Sequence, residues 1–184
     1  MTTLGELLRD KRDMIVQRWF EEGLTTYPED SASAFKRQKD PFANPIGHSL
    51  RLGTQGIFDA LLDGAGSDEI LRHLIEIVKI RAVQQISASE AIRFVFSLKQ
   101  AVRAELGDMA SDPQIVRELE SFDEEVDRVA LMAFDTYVQC REQVSELRIS
   151  EVKRQVSWII DRVNRRNSDP ELVPADLPSR QPGP

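Results

Sequence analysis

Residues 112–166 read DPQIVRELESFDEEVDRVALMAFDTYVQCREQVSELRISEVKRQVSWIIDRVNRR, and after Pro113 neither glycine nor proline recurs until Pro170. A breaker-free span of roughly 55 residues far exceeds the ~10–14 residues of an ordinary globular helix. Asp112 can cap the first free amides, and Pro113 suits the first helical position, where a missing N–H costs nothing. Acidic residues crowd the early turns (Glu118, Glu120, Asp123, Glu124, Glu125, Asp127) and basic ones the late turns (Lys153, Arg154, Arg162, Arg165, Arg166). That polarity suits the helix dipole at both ends. The stretch predicts one helix about 80 Å long at ~1.5 Å per residue, longer than a small domain is wide. Part of it must project, bend or pack on another chain.

Inside this helix Leu119, Phe122, Val126, Val129 and Ala133 keep 3–4 spacing. Tyr137, Cys140, Val144 and Leu147 resume it after one extra four-residue step, a stutter that locally unwinds a left-handed supercoil. Leu131 and Phe134 add a second apolar face, so the middle portion is expected to be buried on most sides. Beyond Leu147 the apolar seam weakens and shifts to Val152, Val156, Ile159 and Val163. The reading therefore places a dimer seam on Val144, Leu147, Val152, Val156, Ile159 and Val163.

Upstream, every apolar pattern has helical period and none alternates with period two for long. A first helix is expected over Leu4–Glu22, with Thr3 and Glu6 at capping-box spacing and Gly23 as its stop. A short helical piece is expected over Ser33–Lys39. In KDPFANPIGHS, residues 39–49, Asp40 and Asn44 each precede proline and are pushed out of helical geometry. Phe42 and Ile46 are expected to anchor this loop to the core. Asn44 caps a helix that opens at Pro45 and runs to about Asp63, in which Gly53 permits close approach of a neighbour. A helix follows from Ser67 or Asp68 to about Ile86. Ser87 and Glu90 then box another that Gly107 ends. The fold class is all-α: five to six helices in a bundle, the last one long, over residues 1–166. NSDPELVPADLPSRQPGP, from Asn167 on, reads as a disordered proline-rich tail.

Composition narrows the function. A net charge of −7 over 184 residues opposes nucleic acid as main partner, because phosphate contacts need a basic footprint. The single cysteine, Cys140, excludes an internal disulfide and suits a reducing compartment. No apolar run approaches the ~20 residues of a membrane span. The N-terminus lacks the apolar stretch of a signal peptide. A cytoplasmic location follows, with no membrane insertion.

Chemistry is sparse. His48 stands beside Gly47 near a helix start. His73, on a helix flank, reads as a partly buried structural imidazole rather than a haem or metal ligand; Glu69 lies four residues before it, not the three of a di-iron motif. Cys140 lies on the apolar stripe of the long helix, where a free thiol behaves as a small hydrophobe. Asp127 and Asp135 fall in the heavily apolar middle, and a buried aspartate must be paired. Arg81, Arg93 and Arg141 are the expected partners in a structural network. No catalytic motif, P-loop or G-x-G-x-x-G is present, so neither catalytic residues nor a cofactor is assigned. Phe96, Phe134 and Tyr137 could line a pocket for a small apolar ligand, though plain core is the simpler reading.

Four stretches together carry a family resemblance: KDPFANPIG (39–47), IRAVQQISASEAIRFVFSLK (80–99), DRVALMAFDTYVQCRE (127–142) and ELRISEVKR (146–154). They resemble the N-terminal domain of RsbT co-antagonist proteins of the RsbR and RsbRD type. The resemblance implies a globin-like, haem-free sensory module that homodimerises. In that family the last helix commonly leads into a sulphate-transporter-and-anti-sigma-antagonist output domain. This sequence stops soon after its long helix, so output is expected through a separate regulatory protein or mixed dimers. The resulting expectation is a non-enzymatic sensory or regulatory module in bacterial stress signalling. The alternatives are a cofactor- or metal-binding redox accessory protein and an adaptor subunit of a larger complex.

Overall fold

The computed structural model describes residues 2–38 and 40–168. Among them are seven α-helices and no strand: α1 (Leu4–Asp10), α2 (Arg12–Gly23), α3 (Glu29–Arg37), α4 (Pro45–Leu62), α5 (Ser67–Val83), α6 (Ala88–Leu106) and α7 (Pro113–Ser168). Short 3₁₀ turns follow α2 (Leu24–Thr26) and α6 (Gly107–Ser111). The all-α expectation holds. From Asp169 the expected proline-rich tail lies outside the described residues.

Local chemistry explains most boundaries. Thr3 accepts from the Glu6 amide while the Glu6 carboxylate accepts from the Thr3 amide, closing the capping box. The single first helix of the sequence reading is instead two, because Lys11 leaves helical geometry at φ −95°, ψ 9°. The residues of α1 and α2 therefore turn separate faces inward, Leu4 and Leu8 from one, Ile15, Val16, Trp19 and Phe20 from the other. Asn44 caps α4 through Gly47 N at 2.9 Å. Its amide also donates to Phe35 O (2.8 Å) and Gln38 O (2.7 Å), stapling the end of α3 to the start of α4. The close approach expected at Gly53 is present: a Cβ there would lie 2.5 Å from Ile77 Cδ1.

The described residues divide into two units, the first ending at Val144 and the second beginning at Ser145. In the first, α2 packs mainly on α6 and α4 on α5. Trp19, Phe20, Phe58 and Phe94 fill the centre with Ile57, Leu74 and Leu98. Trp19 stacks on Phe94 at 6.1 Å and its Nε1 donates to the Phe94 carbonyl at 2.5 Å, so the indole's one polar atom is satisfied inside. The first part of α7 runs back along α6. Arg103 pairs with Asp123 and Lys99 with Asp127, both at 2.6 Å, one helical turn apart on each helix.

Two expectations about burial fail here. Phe42 does not anchor its loop: it is 96% exposed, and Asn44 does the pinning instead. The middle of α7 is not buried on most sides. Leu119, Val126, Val129, Ala133, Tyr137 and Cys140 are buried, but Leu131, Phe134 and Val138 are exposed. The physical reason is that α7 packs along one stripe only, with nothing of unit one on its far side.

Candidate functional site

Arg81 is the polar centre of the first unit. The side chain is 1% exposed. Its guanidinium donates to Gly23 O (2.8 Å), Ala91 O (3.1 Å) and Glu90 O (3.2 Å). It also lies 4.7 Å over the Phe94 ring and 6.0 Å from that of Tyr27. Burial pulls the pKa down, opposed by Tyr27 and Glu90. Backbone carbonyls at the end of α2 and the start of α6 thus take the place of a carboxylate. Arg81 fastens α5 to both.

The aspartate–arginine network expected around it is not what forms. Asp127 sits on the α6-facing edge of α7 and pairs with Lys99, half exposed. Asp135 is on the exposed face. Arg141 donates to Ala82 O at 3.1 Å, and Arg93 lies 3.7 Å from Glu90. The aspartates were expected inside because apolar residues surround them in sequence. The helix period turns them outward, while Val126, Val129, Ala133 and Tyr137 turn in.

Nor do the three candidate aromatics enclose a pocket. Tyr137 is buried, with its hydroxyl donating to Ile86 O, but Phe96 and Phe134 are each about half exposed. Leu131, Phe134 and Val138 on α7 are exposed, as is Phe96 on α6, where the Lys99 ammonium lies 5.9 Å from its ring. The void beside Arg81, lined by Tyr27, Ile46, Leu50, Ile77 and Ile80, measures about 10 Å³, about one water at most.

The histidines and the cysteine take structural places. His73 packs over Gly56, where a Cβ would meet Nδ1 at 2.4 Å, and His48 is partly buried in the first turn of α4. Among the described residues no group of three or more His, Cys, Asp or Glu could hold a metal. Cys140 is buried, and burial pushes its thiol pKa up against the opposing charge of Lys79. That favours the inert thiol over the thiolate.

The second unit carries the most conspicuous surface. Val144, at the end of the first unit, is still partly covered, but Leu147 is 71% exposed. Ile149, Val152, Val156, Trp158, Ile159, Ile160 and Val163 are all exposed as well. Ile149, Trp158 and Ile160 escaped the sequence reading, although Ile149 continues the 3–4 spacing of Val152, Val156, Ile159 and Val163. Isolated exposed apolar residues are ordinary; here Ile149, Val152, Val156, Ile159 and Val163 share one stripe of the helix. No helix among the described residues is long and apolar enough to cross a membrane.

Comparison with known proteins agrees with the helical reading. Residues 13–152 match the family described as the RsbT co-antagonist protein RsbRD N-terminal domain. That span runs from the second residue of α2 into the distal part of α7. No curated protein and no solved structure matches the chain.

Proposed function

Since the chain belongs to the RsbRD N-terminal domain family, we propose that it is a non-enzymatic regulatory module of bacterial stress signalling that works by protein–protein contact. The family places it in a partner-switching context. The observation that carries the reading is the exposed apolar row of α7 from Leu147 to Val163. Ile149, Val152, Val156, Ile159 and Val163 line one stripe of this helix in water, and an exposed apolar stripe of this kind favours association with a partner that covers it. The cover proposed first is a second copy, with Val144, Leu147, Val152, Val156, Ile159 and Val163 as the seam. Arg81, Asp127 and Arg141 hold helices of the first unit together and have no part in that contact; neither does Asp135, on the exposed face. A cytoplasmic location and a globin-like ancestry belong to the same reading.

A small apolar ligand ranks second. The void beside Arg81 is too small to receive one without separation of α4 and α5; the larger hollow of about 380 Å³ beside Leu8, Leu61 and Phe122 is open to solvent. The redox alternative loses its main support with Cys140 buried and protonated.

Sedimentation equilibrium of the full chain tests the proposal. The expected mass at micromolar concentration is twice that of the chain. The double variant Val156→Glu, Ile159→Glu should return it to monomer with an unchanged helical circular dichroism spectrum. A wild-type monomer at high micromolar concentration would exclude the second copy as the cover.

A further inference from the structure

The seam of the second unit has a composition that a second copy satisfies poorly. Spacing puts Ile149, Val156 and Val163 at the a positions of a heptad and Val152 and Ile159 at the d positions. Two-stranded parallel coils favour β-branched residues at a with leucine at d; β-branched residues at both shift the preference away from dimers. The flanks point the same way. Arg148, Gln155 and Arg162 occupy g, while Glu146, Lys153 and Ile160 occupy e. In a parallel self-pair g meets the e position five residues on in the other copy, so Arg148 faces Lys153 twice per dimer. In an antiparallel pair g meets g, and both charged g residues are arginine. Either arrangement sets like charges along the seam, which is destabilising.

Between Ser145 and Arg165 five basic residues stand against three acidic ones, in a chain whose net charge is −7. Arg148 and Lys153 form no ion pair among the described residues. Arg162 lies 5.2 Å over the Trp158 ring on the same helix and keeps its charge available.

We propose that the Ile149–Val163 seam is built for a heterotypic partner: an amphipathic helix of another protein, with leucine in its core positions and glutamate or aspartate on its flanks. Acidic flanks would meet Arg148, Lys153 and Arg162, and leucine would interdigitate with the β-branched core. Ile160, at an e position, widens the apolar face beyond the strict a/d stripe, giving such a helix a broader bed. The inference shares its surface with the proposed self-association and does not depend on it. A self-dimer of this seam is the weaker state that the partner displaces.

The test uses the full chain and two synthetic helices about four heptads long, with valine at a and leucine at d. One carries glutamate at every e and g position; the other carries glutamine there. Isothermal titration calorimetry should show the glutamate helix binding about tenfold tighter or more than the glutamine helix. The difference should shrink at high salt. The triple variant Arg148→Glu, Lys153→Glu, Arg162→Glu, checked for helix content, should lose the preference. Equal binding of the two helices, or binding of neither, overturns the inference. A wild-type dimer that the glutamate helix cannot displace also overturns it while leaving the self-pair standing. A wild-type monomer that binds the glutamate helix does the reverse.

Discussion

Arg81 Nη2 donates to the carbonyl of Gly23 at 2.8 Å, tying the middle of the bundle to the last residue of α2. A cation at a helix C-terminus is favourably placed against the dipole, and inside the protein the effect is poorly screened.

Removing this cation should therefore be severe. Arg81→Ala leaves three carbonyls without their donor and opens space between Tyr27 and Phe94. A loss of about 3 kcal/mol or more in urea unfolding is expected. Arg81→Lys, which cannot span three acceptors, should recover only part. Wild-type stability in Arg81→Ala would show that the carbonyls are satisfied without it.

Gly53 and Gly56 set the spacing of α4 and α5. Gly53→Ala should destabilise by about 1–3 kcal/mol, since its methyl group would collide with Ile77. Ile77→Val, which removes the offending Cδ1, should return part of that in a double-mutant cycle. Additive effects would mean that the two helices adjust elsewhere.

Phe42→Ala should change stability by no more than about 0.5 kcal/mol, because an exposed ring contributes little to folding. Asn44→Ala, three hydrogen bonds removed, should cost about 1–3 kcal/mol. The pair of melting curves decides whether Phe42 or Asn44 holds the loop.

Cys140 should resist thiol reagents in the folded protein and react readily once unfolded. Because burial raises its folded pKa, its contribution to stability is fully present below the unfolded thiol's value of ~8.5 and is lost as pH rises through the folded value. The stability of Cys140→Ala should consequently fall less steeply at alkaline pH. Rapid native-state labelling at neutral pH would contradict the buried placement.

Trp19 and Trp158 report on opposite situations. Trp19 is fully buried and Trp158 is 60% exposed. Acrylamide should quench the emission of a Trp158→Phe variant far less than that of wild type. Trp158 lies on the side of α7 away from the Ile149–Val163 stripe, so a helix covering that stripe should leave its emission little changed; a strong blue shift on association would place the contact on the other face.

The sequence by itself determined most helices and their stops, but not the break at Lys11 or the start of α3 at Glu29 rather than Ser33. Thr3–Glu6, Asn44–Pro45, Ser87–Glu90 and Asp112–Pro113 are local devices whose partners lie within a few residues. The stripe from Leu119 to Cys140 was equally legible, because a 3.6-residue period says which residues share a face. Tertiary structure alone decided what each face meets. Periodicity placed Leu131 and Phe134 on a common side of α7 but could not tell that no helix of the body covers it. It put Asp127 near apolar residues but could not reveal Lys99, which is 28 positions away. Arg81 looked like a partner for a carboxylate and instead found carbonyls of α2 and α6. Burial and charge pairing depend on contacts between distant segments, and those exist only once the chain has packed.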